Sequence, residues 1–407
     1  MLALAAFPSW ADTVTEVHTG IREIFGDTQA TKIRLGVVEF GNLSPETKTL
    51  LDVVRFDLAL EGSIEIVELS GADATHFGGP RLEIDSVVAK NGVLATIKIT
   101  AGQETLLSKN LSEPGNVRRL AHRAAREVLK TLTGAPGFFL SKIAFTLRHK
   151  GKKEIWIADW DGKNASRITS WGSTSLLPSF SRDGKKLAFT SYKDGNPDLF
   201  LYDLAKGTFL SLSAYQGLNT SAAFDPAADG FVATLSRGRD PNLYYLSKEG
   251  KIVRALTRTS GIDTAAVFSP NGQEIAFTTD RSGNPQIFLM SRDGSNARRL
   301  SYGFFWADEA QWSGDGSAIA FAAKRIREEP FEIFLADPLG LHFVQMTNDT
   351  PNEHPTFSPD SKMIAYSSKR NGRWQIFLQG ISRSTAEISV LSFDQADCVE
   401  PAWSANE

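Results

Sequence analysis

The chain has a single cysteine, Cys398, among 407 residues. One thiol closes no internal disulfide, so packing must hold the fold, and a lone cysteine reads as a small buried apolar residue. Excess charge of either sign is missing too: 44 Lys and Arg stand against 47 Asp and Glu, a net charge of −3. That balance gives no electrostatic reason to expect nucleic acid. Beyond the first residues no stretch reaches the roughly 18 apolar residues of a membrane helix. No G-x-S-x-G nucleophile elbow occurs, which argues against a serine hydrolase. The six histidines, at 18, 76, 122, 149, 342 and 354, include no pair at zinc-ligand spacing. "DWDGKN" (159–164) starts like an EF-hand loop, but it lacks a third acidic position and a closing Glu and reads as a hairpin turn. We therefore expect no catalytic residues, metal or cofactor; a calcium ion in a central channel, held by carboxylates such as Asp308 and Glu353, is the alternative. What remains is the composition of a soluble globular protein, 42% hydrophobic and 22% charged.

The start is more informative. "MLALAAFPSWADT" is an apolar run that ends in small residues before Asp12. It reads as the back half of a secretory signal cut near Ala11, without the basic residues that normally precede the apolar core. An ordinary apolar terminus is the other reading. The expectation is an exported protein with residues 1–11 as the remnant of its signal.

A repeat dominates the rest. Aromatic residues before a Ser/Asp turn recur at Phe180, Phe224, Phe268, Trp312, Phe357 and Trp403, at steps of 44, 44, 44, 45 and 46 residues. Six apolar strand cores run parallel to them: Ile143–Ala144–Phe145, Leu187–Ala188–Phe189, Val232–Ala233–Thr234, Ile275–Ala276–Phe277, Ile319–Ala320–Phe321 and Ile364–Ala365–Tyr366. In this alignment blade three loses its aromatic at Thr234. A third strand ("EIWIAD" from Glu154, "QIFLMS" from Gln286) and a weaker fourth follow in each unit. Turns such as "RDGK", "PNGQ" and "GDGS" put Asp or Asn where its side chain caps the turn, and Gly where φ is positive. Four strands per period of about 44 residues is a β-propeller pattern, here of six blades. The aromatic series ends without a strand core after it, and the strand-core series begins without an aromatic before it. "EPAWS" (400–404) should therefore be the innermost strand of the blade begun by "SKIAFTLR" (141–148), closing the ring over residues 138–407.

Residues 12–137 differ in texture and read as a small α/β domain. "TKIRLGVVEFG" (31–41) alternates like a strand, and "SIEIVELSGADA" like a second. Ser44, Pro45 and Gly62 bound one helix, and Asn116 and Gly134 bound an amphipathic second. "PRLEIDSVV" and "GVLATIKITAG" read as a hairpin turning at Asn91–Gly92.

Together these segments resemble the TolB family, periplasmic components of the Tol-Pal system of Gram-negative envelopes. The resemblance rests most on "RRLAHRAAREVLKTLTGAPGFFLSKIAFT" (118–146), then on "IRLGVVEFG", "RFDLALEGSIEIVEL", the "FSPNG…IAFTTDRSGNPQIF" repeats and the closing "EPAWS". "ATHFGGPRLEID", "AFDPAADGFVATLS" (223–236) and Ser361 depart from the family pattern. The resemblance implies a non-enzymatic, monomeric scaffold that binds the peptidoglycan-associated lipoprotein Pal through its propeller and TolA through an N-terminal arm. It also leaves room for other outer-membrane proteins as partners, and implies a role in outer-membrane integrity and constriction at division. By this resemblance the arm is 12–25, with Asp12, Thr13, Val14, Thr15, Glu16 and Val17 as contact residues; an edge strand of the N-terminal domain is the alternative. A propeller enzyme, or a propeller that gates substrate as in serine peptidases, is the second functional reading.

The residues themselves single out one propeller face. Loops leading into the innermost strands hold Asn219, Asp263, Asp308, Glu309, Glu353, His354 and Glu400. Turns between second and third strands hold Arg148, Lys193, Arg237, Arg281, Arg325 and Arg370, one base per blade. Such a mixed ring suits recognition of a polar protein surface. Solvated turns, or structural pairing within the blades, would produce the same sequence. Phe304, Phe305 and Trp306 are either exposed anchors or packing between blades.

Overall fold

Two helices and five strands build the N-terminal domain, and their ends follow from their caps. Ser44 sits in extended backbone and its Oγ accepts from Thr47 N (3.2 Å), opening α1 (Pro45–Glu61). Gly62, at φ 89°, ends it. Asn116 caps α2 (Val117–Thr133) in the same way, and the Gly134 N–H donates to Lys130 O (2.9 Å). The computed structural model describes residues 32–38, 43–70, 73–89, 92–227, 230–237, 240–348, 350–382, 387–393 and 395–406. The expected signal remnant (1–11), the expected 12–25 arm with Asp12 to Val17, His18 and the turn residue Asn91 lie outside the described residues.

The N-terminal sheet has the order β2-β1-β3-β4-β5, from β1 (Ile33–Val38), β2 (Ile64–Leu69), β3 (Arg81–Ala89), β4 (Gly92–Ala101) and β5 (Glu104–Glu113). β1 runs parallel to β2 and β3, and the last three strands form antiparallel hairpins. Val93, Ala95, Ile97 and Ile99 of β4 are buried against the helices, while Leu94, Thr96 and Lys98 face out. β5 has no counterpart in the sequence reading. It is an edge strand exposed along most of its length, so it carries no apolar alternation to betray it.

The propeller consists of six four-stranded antiparallel sheets. Its innermost strands are Asp397–Trp403 for blade 1, then Ser175–Phe180, Asn219–Phe224, Asp263–Phe268, Trp306–Trp312 and Asn352–Phe357 for blades 2 to 6. Each ends on the aromatic of the repeat. Asp397–Trp403 pairs with Lys142–His149 through Ala402↔Ala144 and Trp403↔Ile143. Ser404 and Lys142 add a reciprocal pair of hydrogen bonds at 2.8 Å. Blade 3 corrects the alignment by one residue. Phe224 pairs with Phe231, so its strand core is Phe231–Val232–Ala233; Ala233 holds the aromatic position, and Thr234 matches Thr190 and Thr278. The shift was invisible because Phe231 is itself apolar and the preceding turn is atypical. Cys398 is buried in the closing strand, and burial pushes its thiol up to about 12.

One apolar cluster runs from the N-terminal helices through Phe138 and Phe139 into blades 1 and 6. Trp160 is fully buried there, stacked on Phe56 (5.9 Å) and edge-on to Phe138 (4.9 Å) and His122 (5.8 Å). Trp403 also joins this cluster, edge-on to Phe138, with its indole N–H donating to Ser141 Oγ (2.7 Å). Beside the aromatics lies a buried ionic group. His122 Nδ1 is 2.7 Å from Asp57 Oδ2, and His122 Nε2 is 3.5 Å from Asp161 Oδ2 in the blade 1 turn. Arg118 pairs with the same Asp161, and Lys362 of blade 6 pairs with Glu61. Burial would lower the His122 pKa, but hydrogen bonds and attraction from Asp161 and Asp57 outweigh it and hold it at about 9. Asp57 goes up to about 6, because burial exceeds the pull of His122. Asp161 is held down by His122 and Arg118 against its own burial.

Two predictions follow from this packing. Trp403→Ala should cost about 3–5 kcal/mol and lower the denaturation midpoint of the whole propeller; an unchanged midpoint would confine its role to the tail. His122 binds its proton more tightly folded than unfolded, so its contribution is complete below pH 6.5 and lost as pH rises through about 9. Melting temperature should therefore fall from pH 6.5 to 9.5, with a shallower slope in His122→Asn.

Candidate functional site

Each innermost strand breaks register against its neighbour at one point. At that bulge sits a non-glycine residue with positive φ: Leu177 (55°), Ser221 (53°), Ala265 (49°), Glu309 (62°), His354 (56°) and Glu400 (58°). Such backbone costs on the order of 1–2 kcal/mol per residue and re-aims the side chain. Blades 2 to 4 place neutral residues there. Blades 5, 6 and 1, consecutive around the ring, place Glu, His and Glu.

Glu309 and His354 are bonded directly, and Glu400 acts on His354 through its charge. His354 Nε2 lies 2.8 Å from Glu309 Oε1, and Glu309 Oε2 accepts from His354 N (2.7 Å). Glu400 Oε2 accepts from Leu177 N of blade 2 (2.8 Å) and from Thr146 Oγ1 (2.7 Å). Asp308 Oδ1 accepts from Thr278 Oγ1 of blade 4 (2.5 Å) and from Glu309 N (2.8 Å). Burial would push the His354 imidazole down, but Glu309, Glu400 and Glu353 hold it up at about 9. Burial, then repulsion from Glu309, raises Asp308 to about 6 and moves Glu353 up as well. The result is a protonated histidine among four carboxylates on one sector of the channel wall. Among the described residues no three His, Cys, Asp or Glu are grouped to hold a metal ion.

Five of the seven expected loop residues thus belong to this sector, but they lie within strands, because the innermost strands begin earlier than the turn residues suggested. The other two are structural. Asn219 and Asp263 are the first residues of their strands and fully buried. Asn219 braces Ser213 and Tyr215, and Asp263 pairs with Arg281 (3.0 Å).

The basic ring exists at one end of the propeller, and its heads lie on their own blades. Lys193 sits over Trp171 and Phe200, Arg237 over Tyr215, and Arg281 over Phe277 and Phe288. Arg325 covers Phe304 and Phe334; Arg370 covers Phe377 and pairs with Glu387. Arg148 stands 3.9 Å from Asp397. The five cations other than Arg148 thus cover aromatic rings, a contact of about 0.5–2 kcal/mol each. Phe304 is buried edge-on to Phe321, Phe334 and Phe343, while Phe305 and Trp306 are half-buried under Lys324. Sequence reasoning missed Asp161, which sits in the discarded "DWDGKN" turn; only its two partners in another domain reveal its role.

The family model for the TolB beta propeller domain matches residues 129–407. The chain belongs to that family. Among curated relatives, the Tol-Pal system protein TolB of Desulfosudis oleivorans is 40% identical over 130 residues, 31% of this chain and 29% of that one. The Tol-Pal system protein TolB of Anaeromyxobacter sp. strain K is 29% identical over 260 residues, 58% of this chain and 60% of that one. The chain therefore spans between 29% and 60% of the length of these relatives. The crystal structure of TolB from Acinetobacter baumannii superposes with a TM-score of 0.81 at 24% identity, covering 92% of this chain and 97% of that one, which shows the shared fold.

If the His354 charge balances its carboxylates, removing it leaves them uncompensated. His354→Leu should cost about 1–3 kcal/mol in urea denaturation, and Glu309→Gln in the same chain should recover part of the loss. Equal destabilisation with and without Glu309→Gln would show that the pair is not coupled.

Proposed function

We propose that this chain is the propeller component of a Tol-Pal system, exported to the periplasm and acting as a non-enzymatic scaffold. In this reading the channel mouth binds the peptidoglycan-associated lipoprotein, the 12–25 arm binds TolA, and the two contacts support outer-membrane integrity and constriction at division. The observation that carries the reading is the charged channel sector of Glu309, His354 and Glu400 on a scaffold of the TolB propeller family. Its side chains are held at fixed positions by bonds between blades, so a docking partner meets a pre-organised polar surface. Relatives bearing the Tol-Pal name support the system, and the apolar, small-residue start of the sequence supports export. No observation favours the second reading, an enzyme acting in the channel.

Titration calorimetry with the soluble domain of the lipoprotein tests the mouth. Combined Glu309→Gln and His354→Gln should weaken binding about tenfold, or about 1.4 kcal/mol, in a chain whose circular dichroism is unchanged. Undiminished binding would move the site elsewhere. Deleting residues 12–23 should abolish capture of TolA while leaving lipoprotein affinity and melting unaltered; a loss of folding would mark the segment as structural.

A further inference from the structure

Blades 1 and 6 depart from the other four at one end of the ring. Their second and third strands are eight residues long: Lys142–His149 with Lys152–Asp159, and Met363–Arg370 with Arg373–Gly380. In blades 2, 3 and 4 the corresponding strands have six residues. The start of each second strand is in phase, since Ile143, Leu187 and Ile364 all pair with the ring aromatic. The two extra residues therefore project from the end away from the N-terminal domain, by about 6–7 Å. Pairing continues to the tips, at His149↔Lys152 and Arg370↔Arg373, so both hairpins are held by their ladders. Trp374 N donates to Asp397 (3.1 Å), tying the blade 6 hairpin to blade 1.

The tips read "RHKGKK" (148–153) and "KRNGR" (369–373), seven Lys and Arg with no Asp or Glu. In blades 2 to 5 the equivalent turns carry an acid beside the base: Asp194, Asp240, Asp280, and Glu328 with Glu329. Among the described residues, carboxylate partners stand beside two of the seven, Asp397 beside Arg148 and Glu387 beside Arg370. Lys150, Lys152, Lys369 and Arg373 are exposed. A chain of net charge −3 thus concentrates positive charge on two adjacent, rigid projections.

We propose that the paired hairpin tips of blades 6 and 1 form a docking surface for an acidic protein segment, a run of Asp and Glu. Charge complementarity selects the chemistry. Two observations favour protein over an anionic bilayer. The tips expose no large apolar side chain to insert among lipids. The adjoining channel wall carries Glu309, Glu353 and Glu400, which a flat sheet of phosphates would meet with repulsion. This surface is separate from the channel sector and does not depend on which protein binds there.

The test uses the full chain and a fluorescein-labelled peptide of eight consecutive glutamates, followed by anisotropy at 20 and 150 mM salt. Binding should weaken with salt, and the variant Lys150→Glu, Lys152→Glu, Lys369→Glu, Arg373→Glu should weaken it at least tenfold. A control variant with Lys185, Lys186, Lys206 and Lys251 changed to Glu carries the same charge change elsewhere and should bind within about twofold of the parent. Equal loss in both variants, or no binding to the parent, overturns the proposal. So does sedimentation of the parent with vesicles of phosphatidylglycerol and phosphatidylcholine that the tip variant loses.

Discussion

The propeller depends on one antiparallel pairing, that of Asp397–Trp403 with Lys142–His149. Without it, blade 1 keeps three strands and a row of unpaired backbone groups faces the channel. The innermost strands of neighbouring blades rest on one another around the whole ring, so the loss of one leaves two blades without a flank. The same strand ends on Trp403, whose ring lies in the cluster that joins the N-terminal domain to the propeller. Ring closure and domain docking therefore share a residue, and the closing strand carries more than its own blade.

A second constraint repeats six times. The bulge in each innermost strand stores backbone strain, and a ring of six such positions is sustained only because the sheets on either side leave no alternative register. Inter-blade bonds follow the same phase: Thr190 to Thr220 (3.0 Å), Thr234 to Thr264 (3.2 Å) and Thr278 to Asp308 (2.5 Å). At blades 5, 6 and 1 the belt changes from hydroxyls to ions. The scaffold is thus common to all blades while the chemistry is confined to half the ring. Within that half, the His354 imidazole, held at about 9 and within hydrogen-bond distance of Glu309, ties blade 6 to blade 5.

Much of this was legible in the sequence. Six aromatics at near-constant spacing specify six blades, because a strand of fixed length and a turn of fixed chemistry cannot drift far in phase. Capping residues located both helices within a residue. The failures have physical causes. β5 is exposed along most of its length and so lacks a pattern. Blade 3 slipped by one because Phe231 and Thr234 both suit a strand. The ring of bases was left open between a docking surface and structural pairing, because a cation over an aromatic looks identical in sequence to a solvated one. The ionic group around His122 joins residues 57, 122 and 161, and no local signal connects them. The lengthened hairpins escaped notice because "RHKGKK" and "KRNGR" resemble ordinary polar turns until strand pairing shows where each strand stops.

What breaks the sixfold symmetry gathers in one sector. Blade 1 contributes Asp161 to the domain interface, Glu400 to the channel and Lys150 to the projecting tip; blade 6 contributes Lys362, His354 and Lys369 to the same three places. In a ring of near-identical units, this concentration means that one end of the sector is loaded by the N-terminal domain while the other meets solvent. The closing strand spans the distance between them. Glu400, bonded to blades 1 and 2, stands three residues before Trp403, which is packed against Phe138. The strand pairs with Lys142–His149 on both sides of the bulge at Glu400, and Glu400 N is held by Ser367 of blade 6 (3.0 Å). The bulge is pinned on three sides, by Thr146 of blade 1, Leu177 of blade 2 and Ser367 of blade 6, so one strand joins the channel wall to the interdomain core through a fixed point.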